Sequence, residues 1–222
     1  MAVITLSRQS GSEGNEITQI LCDRLGYRYF DKTMMAELAK ILGEDPEKVV
    51  DISADQYQAK TWLEKTFGAI QLPYGDYTGA TYLAQEDARK ALTVAHVRNF
   101  ISTAYELDNV VIVGRGGQVA LADKPDVLHV RIVASLETRV KRWQNRAGLN
   151  QDEARQKVHE RDAAHIDFVK RFYDADISDP TLYDLIINTD KLTRDAAASL
   201  IIQALEYLPG RAQSLRRPDT DL

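Results

Sequence analysis

The segment "VITLSRQSGSEGNEITQIL", residues Val3 to Leu21, decides the fold class of this chain. A short β-branched run gives way to serine and glycine, and apolar residues at helical spacing follow. This order is typical of a strand that passes through a phosphate-binding loop into a helix, whose first amides point at the loop. The lysine that such loops normally carry is missing, so the segment raises the question of whether it still binds phosphate.

Composition and charge limit the class of protein. The chain has 222 residues, of which 44% are hydrophobic and 27% charged, as expected for a globular protein with a sizeable core. A net charge of −5 argues against nucleic acid as the main partner, because neutralising its phosphates requires a basic surplus. The sequence has neither a signal-peptide pattern nor an apolar run of the roughly 18 residues that a membrane span requires. We therefore expect a cytoplasmic protein that binds neither nucleic acid nor membranes.

Apolar runs predict five strands. They lie at Val3–Ser7, Tyr27–Phe30, Asn109–Gly114, Val127–Ala134 and Leu182–Thr189. Near-continuous runs such as "VVIVG" and "YDLIINT" are typical of strands that are covered on both faces, which indicates a parallel sheet with crossover helices. The residues alone therefore predict an α/β fold.

Helical patterns fill the intervals between these strands. The spacing of apolar residues predicts a first helix over Asn15–Leu25, a second over Lys32–Leu42 and a last one over Thr193–Tyr207. The charged stretch Ser135–Tyr173 is interpreted as two helices, the second of which is capped by Asn150.

These elements suggest one domain over residues 1–208, followed by a mobile tail over 209–222. The domain is interrupted by a helical insertion over 44–100 and by the cationic two-helix region over 135–173. Helical insertions often pack against a second subunit, so a homodimer through residues 44–100 is a further hypothesis.

Six segments, spread over nearly the whole chain, have a common resemblance. They are "ITLSRQSGSEGNEI", "LGYRYFDKTMM", "VIVGRGG", "VRIVASLETRVKR", "ERDAAHIDFVKRFY" and "YDLIINTDKLT". In this order they resemble the cytidylate kinase-like family, relatives of the bacterial nucleoside monophosphate kinases. The resemblance implies a three-layer P-loop fold with strand order 2-3-1-4-5, a helical insertion and a lid over 135–173. It also implies transfer of a phosphoryl group from ATP, or another nucleoside triphosphate, to a nucleoside monophosphate or other small acceptor. Mg²⁺ would enter with the nucleotide, and no residue is predicted as a metal ligand.

The loop departs from the usual pattern G-x-x-x-x-G-K-[ST], in which the lysine reaches the transferring phosphoryl group and the hydroxyl holds magnesium. Arg8 stands at the first glycine, Glu13 at the last and Gly14 in place of the lysine. The resemblance implies that Arg8 supplies the lost positive charge. The alternative is that Arg8 pairs with a carboxylate such as Glu13 or Asp31.

Backbone donors at the helix N-terminus are still expected to hold the nucleotide phosphates. Arg139 and Arg142, one helical turn apart, are candidates to stack on the base or to bind its phosphates, with a solvated helix face as the alternative. The loop residues expected at the phosphates are Ser10, Gly11, Ser12, Glu13, Gly14 and Asn15.

The resemblance also implies a substrate-binding side. Arg115 matches the arginine that contacts the acceptor phosphate, although an internal ion pair is the alternative, and Gly116 replaces the aspartate that follows it. Asp31 matches an aspartate that accepts from a substrate hydroxyl or orients magnesium-bound water, unless it only caps the next helix. Lys32 is a candidate replacement cation or an exposed helix lysine.

The lid carries the remaining candidates. Arg161 and Asp162 match the Arg-Asp pair of the family, in which the arginine stabilises charge on the transferring phosphoryl group. His165 and Phe168 stand where the family has an acidic residue and an arginine. His165 would donate to a phosphate when protonated or lie on the surface of a charged helix.

Two hypotheses of function remain open at this stage. Arg8, Arg115, Arg161 and Asp162 are the candidate catalytic residues of a phosphotransferase. The loss of the loop lysine, the loop hydroxyl and the aspartate after Arg115 favours instead a regulatory pseudokinase that binds nucleotide or phosphate without efficient transfer.

Overall fold

A five-stranded parallel sheet organises the computed structural model, which describes residues 2–31, 34 and 97–209. The neighbouring strand pairs are all parallel, and the spatial order is 2-3-1-4-5. Both the five predicted strands and the order that the resemblance implies are confirmed. The strands are β1 (Val3–Arg8), β2 (Arg28–Phe30), β3 (Val110–Val113), β4 (Val127–Val133) and β5 (Leu185–Asn188).

Helices accompany the sheet in the described ranges. The predicted first helix, the predicted pair in the charged stretch and the predicted last helix are all confirmed. None of the helices in the described ranges is long and apolar enough to cross a bilayer. The helices are α1 (Gly14–Leu25), α2 (Gly117–Ala120), α3 (Leu136–Ala147), α4 (Gln151–Tyr173) and α5 (Arg194–Glu206), with a 3₁₀ turn at Pro180–Leu182.

The chain divides into two compact units, one of residues 1–31 with 101–222 and the other of residues 32–100. All the strands and helices named above belong to the first unit. Residues 101–106 of this unit, and 97–100 of the second, are also helical. The predicted helix over Lys32–Leu42 lies outside the described residues apart from Met34, as do residues 44–96 of the predicted insertion and residues 210–222 of the tail. The single-domain organisation stays a prediction.

Local capping explains where the helices of the charged stretch begin and end. Ser135 caps α3, which ends at Gly148 in the left-handed conformation (φ 64°). Asn150 accepts from the Glu153 amide while the Glu153 carboxylate accepts from the Asn150 amide, which forms a complete capping box at the start of α4. The sequence-based choice of Asn150 as the cap is therefore confirmed.

The main core lies between one sheet face and the helices α1 and α5. Ile17 and Leu21 of α1 and Ile201 of α5 are completely buried there, together with Leu6 of β1. The other face packs against α2, where Gly117 approaches Thr5 and Ile112. Helices therefore cover the sheet on both sides, which gives the three-layer architecture.

Cys22 belongs to the same core and is the only cysteine of the chain. Burial raises the pKa of its thiol to about 11, so the reactive thiolate is scarce at neutral pH. The chain therefore uses this side chain as a small apolar packing residue.

The sheet topology brings several loops together at one edge. Because all strands are parallel, the segments that follow β1, β3, β4 and β5 leave the sheet at its carboxyl edge, which is where ligands bind in open α/β sheets. The residues singled out in the sequence at positions 8–15, 31, 115 and 139–142 lie at or just beyond this edge.

We expect Leu21→Ala to lower the free energy of unfolding by about 3 kcal/mol, because it leaves a cavity between α1 and the sheet. Gln19→Ala, on the exposed face of the same helix, is the control and should change stability by about 0.5 kcal/mol or less. Urea unfolding of both variants measures the difference. Equal losses would contradict the placement of Leu21 in the core.

Candidate phosphate-binding site

The loop after β1 turns the chain from the sheet into α1. Gly11 (φ 81°) and Glu13 (φ 66°) adopt the left-handed conformation, and Glu13 is the residue from which α1 begins. Gln9 accepts through its backbone oxygen from the amide (3.2 Å) and the hydroxyl (2.9 Å) of Ser12, which closes the turn. Within the described residues the first-turn amides of Gly14 and Asn15 have no acceptor, so they are available to an anion at the positive end of the helix dipole.

The side chain of Arg8 lies in a channel between two glycines, which we call the glycine channel and define by Gly14 and Gly114. A Cβ on Gly14 would lie 2.6 Å from the Arg8 Cβ, and a Cβ on Gly114 would lie 2.6 Å from Arg8 Nη1. Arg8 Nε donates to Asn15 Oδ1 at 3.1 Å, which fixes the guanidinium beside the start of α1. The missing lysine now has a physical explanation: the stem of Arg8 takes the space that any side chain at position 14 would need.

The electrostatic surroundings of Arg8 favour a negatively charged ligand. Desolvation of its partly buried side chain lowers the pKa of Arg8, an effect that Arg161 reinforces and that Tyr29 and Asp31 oppose. Over residues 2–31, 34 and 97–209, Arg8 forms no ion pair. The alternative in which Arg8 pairs with Glu13 or Asp31 is therefore wrong for the structure described.

Arg161 of α4 is the second guanidinium of the site. Its Cζ lies 5.0 Å from the centre of the Trp143 ring, over the face of the indole. Its Nε is buried and has no hydrogen-bond acceptor among the described residues. A buried N–H of a charged group without an acceptor is unfavourable, so this guanidinium would gain from an incoming anion.

Glu13 does not face this pair of arginines. Its carboxylate forms ion pairs with Arg142 Nη2 at 3.1 Å and with Arg194 Nε at 3.0 Å. Arg142 also donates to the backbone oxygen of Thr189 at 2.7 Å and to its hydroxyl at 3.0 Å. The negative charge at the last-glycine position is thus neutralised on the side of the loop that faces the end of β5.

The residue pair Arg139 and Asp162 holds the loop at Ser10. Asp162 accepts from the Ser10 amide at 2.8 Å, and Arg139 Nη1 donates to the Ser10 oxygen at 3.2 Å. The two side chains also pair with each other at 2.5 Å. These contacts position the loop; the sequence-based roles of Asp162 in catalysis and of Arg139 in nucleotide contact stay predictions.

A run of left-handed residues follows β3, from Gly114 to Gly116, with Arg115 between them at φ 58°. Tyr173 donates its hydroxyl to the Arg115 oxygen at 2.8 Å, and its ring fills the space that a Cβ on Gly116 would occupy. The aspartate that the resemblance would place at position 116 is therefore excluded by Tyr173. The Arg115 guanidinium lies 5.6 Å from the Phe168 ring centre.

A model of the cytidylate kinase-like family matches residues 3–191. The chain belongs to this family. It is 25% identical over 207 residues to the cytidylate kinase of Methanocella arvoryzae, an alignment that covers 93% of this chain and 98% of that protein. Identity to the cytidylate kinase of Methanopyrus kandleri is 30% over 113 residues, which covers 47% of this chain and 58% of that relative's length.

A solved structure supports the fold. The chain matches an uncharacterized protein from Eubacterium ventriosum ATCC 27560 with a TM-score of 0.66 and 20% identity, over 93% of this chain and 99% of that one. At this level of identity the match concerns the fold alone.

Of the three other residues for which the resemblance implies a substrate-binding role, the structure describes two. Asp31 directly follows β2 at the carboxyl edge and is near enough to raise the pKa of Arg8. His165 is a partly buried residue of α4, and Lys32 lies outside the described residues. The substrate-binding roles of Asp31, Lys32, Arg115 and His165 stay predictions, as does the nucleotide-binding role of Arg142.

Three residues that contact the loop were not predicted from the sequence. Trp143 Nε1 donates to the Ser10 hydroxyl at 3.0 Å, and the Thr189 hydroxyl donates to the Ser12 oxygen at 3.0 Å. Arg194 is the third, through its ion pair with Glu13. Only Trp143 has a sequence signal, because a large aromatic residue within the charged run "VKRWQNR" is unusual for a solvated helix face.

We expect Gly14→Ala to destabilise the protein by about 1–3 kcal/mol, because the added methyl group overlaps the Arg8 stem in the glycine channel. In an Arg8→Gly background the same substitution should cost much less, since the obstructing Cβ and the stem beyond it are both gone. Denaturant unfolding of the two single variants and the double variant measures the coupling. An equal cost of Gly14→Ala in both backgrounds would contradict the glycine channel.

Proposed function

We propose that this protein is a phosphotransferase that moves a phosphoryl group from a nucleoside triphosphate to a nucleoside monophosphate or another small acceptor. The observation that carries the proposal is the pair of guanidinium groups, Arg8 and Arg161, beside the start of α1. Within the described residues neither one has a carboxylate partner. Membership of the cytidylate kinase-like family supports the same reaction class.

The residues divide the work in a way that suits phosphoryl transfer, in which positioning and charge neutralisation matter more than covalent chemistry. The Gly14 and Asn15 amides and the Arg8 guanidinium bind the donor phosphates. Arg161, from the lid helix α4, neutralises charge that develops on the transferring group. Arg115, after β3, receives the acceptor.

Mg²⁺ enters as part of the nucleotide substrate, which we propose to be ATP or another nucleoside triphosphate. The described residues contain no group of three or more His, Cys, Asp or Glu side chains that would hold a resident ion. Asn15 Oδ1, near the position of the usual loop hydroxyl, accepts from Arg8. The phosphates would supply ligands to the metal, and we assign to Asp31, which directly follows β2, the orientation of its water molecules.

A regulatory nucleotide-binding module is the second candidate. It is favoured by two departures from the family pattern, each with its own steric cause: Arg8 excludes a lysine at position 14, and Tyr173 excludes an aspartate at position 116. Such a module would use the same amides and guanidinium groups to hold the nucleotide but would turn it over slowly.

Turnover separates the two candidates. The purified protein is incubated with ATP, Mg²⁺ and each of a panel of nucleoside monophosphates, and ADP formation is followed. We expect turnover with one acceptor, and a loss of about 100-fold or more in kcat in Arg161→Ala, because one preorganised donor to the transition state is removed. Lys170→Ala, which removes an exposed cation from the same helix, is the matched control and should retain activity.

Two other outcomes of this assay would count against the proposed enzyme. Nucleotide binding without turnover would favour the regulatory module over the enzyme. Absence of binding by every nucleotide tested would contradict both candidates.

A further inference from the structure

Trp143 of α3 contacts both the loop after β1 and Arg161 of α4. On one side its Nε1 donates to the Ser10 hydroxyl at 3.0 Å. Its ring also covers Gly11, where an added Cβ would lie 3.0 Å from Trp143 Cδ1. The indole therefore contacts the loop through both a hydrogen bond and its ring edge.

The face of the same ring carries the guanidinium of Arg161, whose Cζ lies 5.0 Å from the ring centre. The described residues offer Arg161 no hydrogen bond to its buried Nε and no ion pair. The stack on Trp143 is thus the contact that orients this guanidinium, through attraction between a cation and the negative face of the indole.

The positive charge of Arg8 opposes this placement of Arg161. Burial is the main cause of the lowered pKa of Arg8, and repulsion by the positive charge of Arg161 adds to it. A long, flexible arginine side chain that is repelled from one side and lacks a carboxylate partner would turn away towards solvent. The indole holds it over the loop instead.

We propose that Trp143 is a positioning residue that holds Arg161 over the phosphate-binding loop and links the lid helices α3 and α4 to that loop. The proposal rests on the proposed function, since it assigns Arg161 a place in phosphoryl transfer. It adds that a single side chain, Trp143, positions both the loop and Arg161. An anion that draws Arg161 towards the loop would also change the surroundings of the indole.

If Trp143 had only a structural role, the effect of replacing it would come from lost packing between α3 and α4. Trp143 also packs against the small apolar cluster between α3 and α4 that contains Val140, Ala154 and Val158. Val158→Ala perturbs this cluster while it retains the side chains of Trp143, Ser10 and Arg161, so it is the matched control. Trp143→Phe retains a ring for Arg161 but loses the hydrogen bond to Ser10.

The first test is a double-mutant cycle on kcat and on KM for ATP with Trp143→Ala and Arg161→Ala. Trp143→Ala should lower kcat by about 100-fold and change KM by about threefold or less, because a misplaced catalytic group affects mainly the chemical step. The loss in the double variant should be far smaller than the product of the two single losses, since the indole acts mainly through the arginine. Trp143→Phe should recover most of the activity, and Val158→Ala should retain it.

Two results would overturn the proposal. One is a double variant whose loss equals the product of the two single losses, which would show independent effects. The other is a Val158→Ala variant as slow as Trp143→Ala, which would assign the effect to packing between the helices.

A spectroscopic test does not depend on turnover. The chain has two tryptophans, so Trp62→Phe leaves Trp143 as the single tryptophan, and excitation at the red edge of the spectrum selects it over the tyrosines. In this background Arg161→Ala should change the emission of the ligand-free protein, and pyrophosphate should change it only while Arg161 is present. If no acceptor is phosphorylated but these changes occur, the proposed enzyme activity fails while the link between Trp143 and Arg161 stands. Identical emission with and without the Arg161 side chain would overturn the link itself.

Discussion

The site depends on the packing of the Arg8 side chain against Gly14 and Gly114 in the glycine channel. Arg8 ends β1, Gly14 begins α1 and Gly114 follows β3, so one side chain fixes the geometry of three segments at the carboxyl edge of the sheet. A Cβ at either glycine would overlap this side chain. The arginine thus brings a positive charge to the start of α1, where a lysine on the helix itself would be sterically blocked.

The carboxylates near the loop have ion-pair partners of their own and do not pair with Arg8. Glu13, which would repel phosphate if it faced the anion site, is paired with Arg142 and Arg194 instead. Asp162 is likewise paired, with Arg139 and the Ser10 amide. The carboxylates on the loop and beside Ser10 are neutralised by these partners. The two guanidinium groups at the start of α1 keep their charge available to a ligand.

The sequence predicted the sheet and most helices correctly because their signals are local. Apolar runs mark the buried strands, and residues such as Asn150 satisfy the first amides of a helix within a few positions. The family resemblance added the strand order, which no local signal contains. The candidate phosphate-binding loop could likewise be located from one continuous segment, since the serines, glycines and helix start lie within it, and its binding of phosphate stays a prediction.

The partners of the site residues could not be predicted in the same way. Asp162 lies 152 positions from Ser10, and Trp143 lies 133 positions from it. Such contacts depend on how α3 and α4 fold back over the loop, which residue spacing does not encode. For the same reason the sequence left open whether Arg8 pairs with a carboxylate, whereas in the structure its space is set by two glycines 100 positions apart.

The proposed function requires that Arg8 in the glycine channel, together with the free amides of α1, bind a phosphate anion in place of the missing lysine. A crystal structure of the protein with a non-hydrolysable ATP analogue tests it most directly. In that structure we expect phosphate oxygens within hydrogen-bond distance of the Arg8 guanidinium and of the Gly14 or Asn15 amide. Phosphates bound away from this loop, or an Arg8 that makes no contact with them, would contradict it.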